Sequence, residues 1–127
     1  MPIDHVSVGS NDIARARAFY LSTLAPLGLR IVAEEIGRYC DFGTTGVAFS
    51  IETPVNGDVA SPGNGVHVCF TAANRAQVKA FHAAALAAGG RDAGAPGPRP
   101  HYGDAYFAAF AFDLDGNKIE ACCHALE

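Results

Sequence analysis

Four side chains of this sequence have the types and the spacing to act on one ligand: His5, Glu52, His67 and Glu120. Each lies in a short stretch that alternates as a strand does, so its side can be read. In "HVSV" Val6 and Val8 share one face, and His5 and Ser7 the other. In "VAFSIE" Glu52 shares its face with Ala48 and Ser50, opposite Val47, Phe49 and Ile51. In "GVHVCF" His67 stands beside Cys69, and in "IEACC" Glu120 stands beside Cys122. One face of each strand is apolar. The other carries one strong donor with a small Ser or Cys two residues away. Two imidazoles and two carboxylates suit a divalent ion of intermediate hardness, whether Zn, Ni, Co, Mn or Fe. Such an ion also offsets the cost of holding carboxylates on a half-buried face. Singly, each residue has an ordinary structural explanation; together, their matched recurrence in a repeated unit points to one metal site.

The elements that must position them follow from periodicity and caps. Asp12 caps a helix carrying Ile13, Ala16, Phe19, Tyr20 and Leu24, ending before "APLG". Asn74 and Gln77 have capping-box spacing at the start of a second helix, which Gly89-Gly90 stop. Strands are expected over Ile3–Gly9, Arg30–Glu34, Arg38–Phe42 and Val47–Glu52, then Val66–Thr71, Arg91–Ala93, Tyr106–Asp113 and Lys118–Cys123. "GAPGPRPHYGDA" reads as a loop, and Asp115-Gly116 as the last hairpin turn. Both halves therefore read β-α-β-β-β, each opening on a histidine strand and closing on a glutamate strand. The expected fold is α+β, two βαβββ modules forming a curved mixed sheet with helices on the convex face. One domain spans 1–127, with module one at about 1–53, a linker at about 54–64 and module two at about 65–124.

Composition narrows the function classes. The chain has 127 residues, half of them apolar, which is ample for one core. A formal charge of −4 provides no basic footprint for nucleic acid or an anionic membrane surface. No apolar run spans a bilayer, and "MPIDHVSVG" lacks the pattern of a signal peptide. Cys40, Cys69, Cys122 and Cys123 form no C-x-x-C pair, so the spacing argues against a thiolate zinc site and a disulfide scaffold. Scattered thiols in strands point to a reducing, cytoplasmic setting. Cys69 and Cys122 read as small fillers, and His82 and His124 as exposed.

With "DHVSVGSNDIARARAFY", "LAPLGL", "GVHVCF" and "AFDLDGNKIEA" spread over nearly the whole chain, the sequence resembles the vicinal oxygen chelate superfamily of glyoxalase I, extradiol dioxygenases and fosfomycin- and bleomycin-resistance proteins. The resemblance implies paired βαβββ modules, an open cup and a homodimer, the cup in several families being shared between subunits. It implies metal ligands His5, Glu52, His67 and Glu120 in the glyoxalase-like pattern. In the dioxygenase pattern they are His5, His67 and Glu120. Gly9 stands where glyoxalase I has an arginine for the glutathione carboxylate, which argues against that substrate but not against the metal.

Three functions follow. First is a lyase or isomerase acting on a small oxygenated substrate through a metal-chelated enediolate, with Glu52 or Glu120 moving the proton. Second is an extradiol-type ring-cleaving dioxygenase, with His101, Tyr102 and Tyr106 of "PHYGDAYF" as acid/base candidates. Third is a metal-free protein that binds an antibiotic or metabolite.

Overall fold

The computed structural model of the chain describes residues 2–127; residue 1 of the expected first module lies outside them. The order is β1 (Val6–Gly9), α1 (Ile13–Leu24), β2 (Arg30–Glu35), β3 (Tyr39–Gly43), β4 (Val47–Glu52), β5 (His67–Thr71), α2 (Arg75–Ala87), β6 (Arg91–Pro98), β7 (Tyr106–Phe112) and β8 (Lys118–His124). Two four-stranded mixed sheets result, ordered β1-β4-β3-β2 and β5-β8-β7-β6. In each, the first strand pairs in parallel with the last and the remaining pairs are antiparallel. The α+β architecture of two βαβββ modules is thus the observed one.

Both helices begin as their caps dictate. The Asp12 side chain accepts from the Arg15 amide, and the Asn74 side chain from the Gln77 amide. Gln77 reaches back to accept from the Ala73 amide at 2.8 Å. Past α2, Gly89 takes φ +101°, and a Cβ on Gly90 would lie 2.8 Å from the carbonyl oxygens of Ala85 and Phe112. Only glycine lets the chain turn there and pass so close to its neighbours.

The apolar strand faces read from the sequence meet in one core shared by the two modules. Phe42, Phe49 and Ile51 from the first sheet, and Phe70, Ile119 and Ala121 from the second, are buried with Phe19, Tyr20 and Phe81 of the helices. Phe49 and Phe70 meet edge to face across the modules at 5.1 Å between centroids. A fully buried aromatic or branched side chain contributes roughly 1.5–3 kcal/mol, so this cluster is the main cohesive term. The opposite strand faces are left free of the core.

A polar network joins the modules a second time. The Tyr20 hydroxyl donates to Asp113 Oδ2 at 2.5 Å, both groups being buried. Asp113 also accepts from the amides of Asp115 and Asn117 and from Asn117 Nδ2. Asn117 Nδ2 donates in turn to the Gly9 carbonyl, and the Asn11 amide donates to Asp115. Burial, then the adjacent Asp113 carboxylate, holds the Tyr20 hydroxyl far above the ordinary phenol range.

Two expectations are corrected. β6 runs through Pro98, where a loop was expected after Ala93. It is an edge strand with breaks in register around Gly94 and Gly97, and an edge tolerates Pro96 and Pro98 because their missing amides face no partner. His82, read as exposed, is buried, with Nε2 2.9 Å from Asp92 Oδ1. The alanine-rich face of α2 concealed that β6 packs over it. His124 is exposed as expected.

Tyr20→Phe is expected to lower stability by about 1–3 kcal/mol at pH 7, because a buried carboxylate loses a donor. Urea denaturation by circular dichroism checks this. Burial also raises the Cys40 thiol from 9.0 to about 11. A folded-state value above the unfolded one stabilises below the unfolded value and is lost as pH rises through the folded one. The urea midpoint should therefore decline between about pH 9 and 11 and decline less steeply in Cys40→Ala.

Candidate functional site

The register of β8 decides what the free face of the second sheet presents. In the parallel pair with β5, Cys69 stands opposite Glu120 and Thr71 opposite Cys122. In the antiparallel pair with β7, Phe110 stands opposite Glu120 and Ala108 opposite Cys122. Glu120 is thereby flanked on both sides in mid-sheet, its side chain only 3 % exposed. His67 Nε2 lies 2.9 Å from Glu120 Oε1. The Tyr106 hydroxyl donates to Glu120 Oε2 at 2.6 Å. Both carboxylate oxygens are therefore held, which is what makes burial of this acid tolerable. Cys69 Sγ lies 3.3 Å from Cys122 Sγ beside the same carboxylate.

The environment favours the neutral forms of Tyr106 and Cys69. Tyr106 is pushed well above the phenol range, chiefly by loss of water and then by its bond to Glu120. Cys69 is exposed as a residue, but its sulfur is turned against Cys122. Burial of that sulfur, then the Cys122 contact, then Glu120 raise the thiol well above its ordinary value. A cationic fringe surrounds this: Lys118 Nζ stands 5.0 Å and the Arg99 guanidinium 5.6 Å from the centre of the Phe110 ring. The His67 ring lies 5.9 Å from the same phenyl ring. His67 and Lys118 also line a concavity with Gly63, Gly65, Phe112 and Gly116.

Of the four expected donors, one chain brings His67 and Glu120 together and leaves the other two apart. His5 precedes β1, its Nδ1 paired with Asp4 at 2.7 Å in an exposed setting. Glu52 ends β4, exposed, and lines a separate concavity with Ser7, Gly9, Pro54 and Ala60. Among the described residues, the group of three or more His, Cys, Asp or Glu whose donor atoms lie within 4.8 Å of one another is Cys69, Glu120 and Cys122. The register explains the asymmetry. Ser7 pairs with Ser50 and Gly9 with Glu52, so counting from the histidines Ser50 takes the place of Glu120 and Glu52 that of Cys122. Glu52 is thus about 7 Å farther along its strand than a matched carboxylate would be. The Ser50 hydroxyl at the matched place is buried without a hydrogen-bond partner.

The acid/base candidates separate as well. Tyr106 on β7 touches Glu120, while His101 and Tyr102 lie exposed on the 3-10 turn Pro100–Tyr102. Tyr102 packs edge-on to Tyr106 at 5.3 Å, and His101 lies 4.1 Å from Tyr102, so the three form an aromatic chain leading away from Glu120. Phe110 and Lys118 are not among the residues the sequence pattern singles out, and the two thiols, which read there as small fillers, lie against Glu120. Alternation along β7 and β8 was the available signal for the first pair.

This geometry can be set against known proteins. The model of the Glyoxalase/Bleomycin resistance protein/Dioxygenase superfamily matches residues 2–121. The chain belongs to that superfamily. A glyoxalase/bleomycin resistance protein from Albidiferax ferrireducens T118 is similar at 35 % identity and TM-score 0.88, over 98 % of this chain and 100 % of that one. Lactoylglutathione lyase from Agrobacterium tumefaciens shares the fold at 20 % identity and TM-score 0.67, over 95 % of this chain and 92 % of that one. TioX from Micromonospora sp. ML1 does so at 16 % identity and TM-score 0.66, over 98 % of each chain. No curated protein matches. No helix among the described residues is long and apolar enough to cross a membrane.

A thiol with a raised pKa is a weak nucleophile at neutral pH. Cys69, although exposed, is expected to react with iodoacetamide at pH 8 at least about tenfold more slowly in the folded chain than in urea. Peptide-resolved mass spectrometry reads the rate at each cysteine.

Proposed function

We propose that this superfamily member is a metal-dependent enzyme with lyase or isomerase chemistry on a small oxygenated, anionic substrate. The observation that carries the reading is the contact of His67 Nε2 with the nearly fully buried Glu120 carboxylate at 2.9 Å. A buried acid held by an imidazole on the free face of a sheet is a pair that a divalent ion can join at little further desolvation cost. The residues fit such an ion in part. His67 and Glu120 supply two positions, and the register makes His5 the counterpart of His67 but gives Ser50, not Glu52, as the counterpart of Glu120. The donor set this favours is His5, His67 and Glu120, with Glu52 left outside it.

Completing that set requires His5 from elsewhere, and the open edges suggest how. β1 and β5 each lie at the edge of their sheet, and Ile3 and Val66 beside them are 65 % and 60 % exposed. In the proposed homodimer, module one of one copy faces module two of the other, so that His5 approaches His67 and Glu120 across the interface. When bound, such an ion would supply Lewis acidity toward substrate oxygens. Glu52, exposed and uncoordinated, is available to take a proton from carbon. Lys118 and Arg99 attract a negatively charged substrate to the cup, and the neutral Tyr106 hydroxyl fixes the orientation of Glu120.

A second reading, an extradiol-type dioxygenase, is favoured by the same donor count, since two histidines and one carboxylate are the ligand set of non-haem iron oxygenases. Metal titration by calorimetry with Zn, Ni, Mn and Fe(II) tests both. One Mn ion per chain is expected, Mn being the least thiophilic of the four, with His67→Ala and Glu120→Gln each weakening it at least about 100-fold. Mixing His5→Ala chains with Glu120→Gln chains should restore part of the binding, since one of the two shared sites then keeps all its donors. Proton exchange at carbon or thiol-adduct turnover supports the lyase; oxygen uptake on catechols supports the dioxygenase. A wild-type chain that takes up none of these ions overturns both.

A further inference from the structure

The two thiols on the free face of the second sheet have no part in the reading above, yet they lie beside the carboxylate it uses. Cys69 and Cys122 come from strands joined by a 53-residue separation, and parallel pairing of β5 with β8 sets their sulfurs 3.3 Å apart. The Glu120 carboxylate lies with them, all three donor atoms being within 4.8 Å of one another. Linear spacing argued against a thiolate metal site because no C-x-x-C pair exists. The sheet supplies the proximity that such a motif would otherwise provide.

Nor does the fold alone require this arrangement. The matching places in module one hold Ser7, Ser50 and Glu52, so the same register there presents only oxygen donors. Module two has sulfur at two of the three. Access also differs within the trio: Cys122 and Glu120 are buried, whereas Cys69 is exposed and gives an approach from the cup.

The geometry points to a binding position for a thiophilic divalent cation, such as Zn(II) or Cd(II), formed by Cys69, Cys122 and Glu120. Two sulfurs and one carboxylate select soft and borderline ions over Mg, Ca or Mn. Three protein donors leave a fourth position open to a ligand from the cup, as at zinc sites that do chemistry rather than hold structure. His67 stands on the other side of Glu120 and takes the part of a positioning residue here. The position goes beyond the proposed function, which uses the imidazole side of Glu120. Both positions use the Glu120 carboxylate, so a thiophilic ion and a harder ion in the same chain influence each other through it.

The test uses the full-length chain, reduced and freed of metal by chelation, titrated with Co(II) and then Cd(II). Wild type and His67→Ala are expected to show thiolate-to-cobalt charge-transfer absorption in the near ultraviolet, displaced by Cd(II). Cys69→Ser and Cys122→Ser should each lose the band and bind Cd(II) at least about 100-fold more weakly, with circular dichroism unchanged. A band that persists in both serine variants overturns the inference, because another thiol then carries it. Cobalt bound without the band, and lost in His67→Ala, removes the thiol position while leaving the proposed function standing. A chain that binds neither ion overturns the inference, and the proposed function then rests on its own titration.

Discussion

The buried Asp113 carboxylate is the constraint on which the candidate site depends. It receives the Tyr20 hydroxyl from α1, two backbone amides of its own turn and the Asn117 side chain. Those bonds close the turn between β7 and β8, where the Asp113 amide donates to the Asn117 carbonyl, and so fix Phe112 opposite Lys118. Every later pair follows from that one, Phe110 with Glu120 included. Strand alternation has a period of two, so a slip of one residue would send Glu120 into the apolar core and Ile119 to the free face. The turn is thus more than a connector. It sets which side of β8 carries Glu120 and, through Asn117 and Asp115, ties that choice to Gly9 and Asn11 of the other module.

The two modules repeat in order but not in chemistry. Both bury the same alternate residues against the helices, and both open on a histidine. Past that point they diverge at matched register: Ser7, Ser50 and Glu52 against Cys69, Glu120 and Cys122. A carboxylate in mid-sheet needs donors on both oxygens, and module two provides them in His67 and Tyr106. Module one has Tyr39 opposite Glu52 at a strand end, where water solvates the acid without help. The halves are therefore complementary rather than equivalent, one holding a preorganised acid and the other an open rim.

Much of the fold was legible because it rests on local rules. Asp12 and Asn74 cap helices wherever an apolar stripe follows them, and the alternation in "VAFSIE" and "IEACC" sorts core from free face without knowledge of partners. The site was legible only as a set of types. His67 and Glu120 are joined by the parallel register of β5 with β8, which no local motif announces, and the Asp113 turn that sets β8 against β7 reads in sequence as a mere hairpin signal. The apparent match of Glu52 with Glu120 came from counting positions between histidine and glutamate. The count hides a two-residue offset, because the modules differ in the length of chain between their first and last strands. The Cys69–Cys122 contact was hidden for the same reason: parallel pairing joins residues that no local motif connects. Extension of β6 to Pro98 was missed because Gly and Pro are compatible with an edge strand that the sequence cannot announce as one.

Burial of Glu120 also bears on how the face would respond to a ligand. An acid with both oxygens already bonded has surrendered its hydration during folding, so a cation or proton donor arriving later meets a group that is fixed and largely dry. Tyr106, with its hydroxyl kept neutral, stays a donor across the physiological range and leaves Glu120 one orientation rather than several. What then varies is the partner on the other oxygen. An imidazole on one flank and two thiols on the other offer a hard-leaning and a soft-leaning environment to the same carboxylate. The flanks thus decide which ligand the acid would favour, while the turn at Asp113 fixes the strand that carries it.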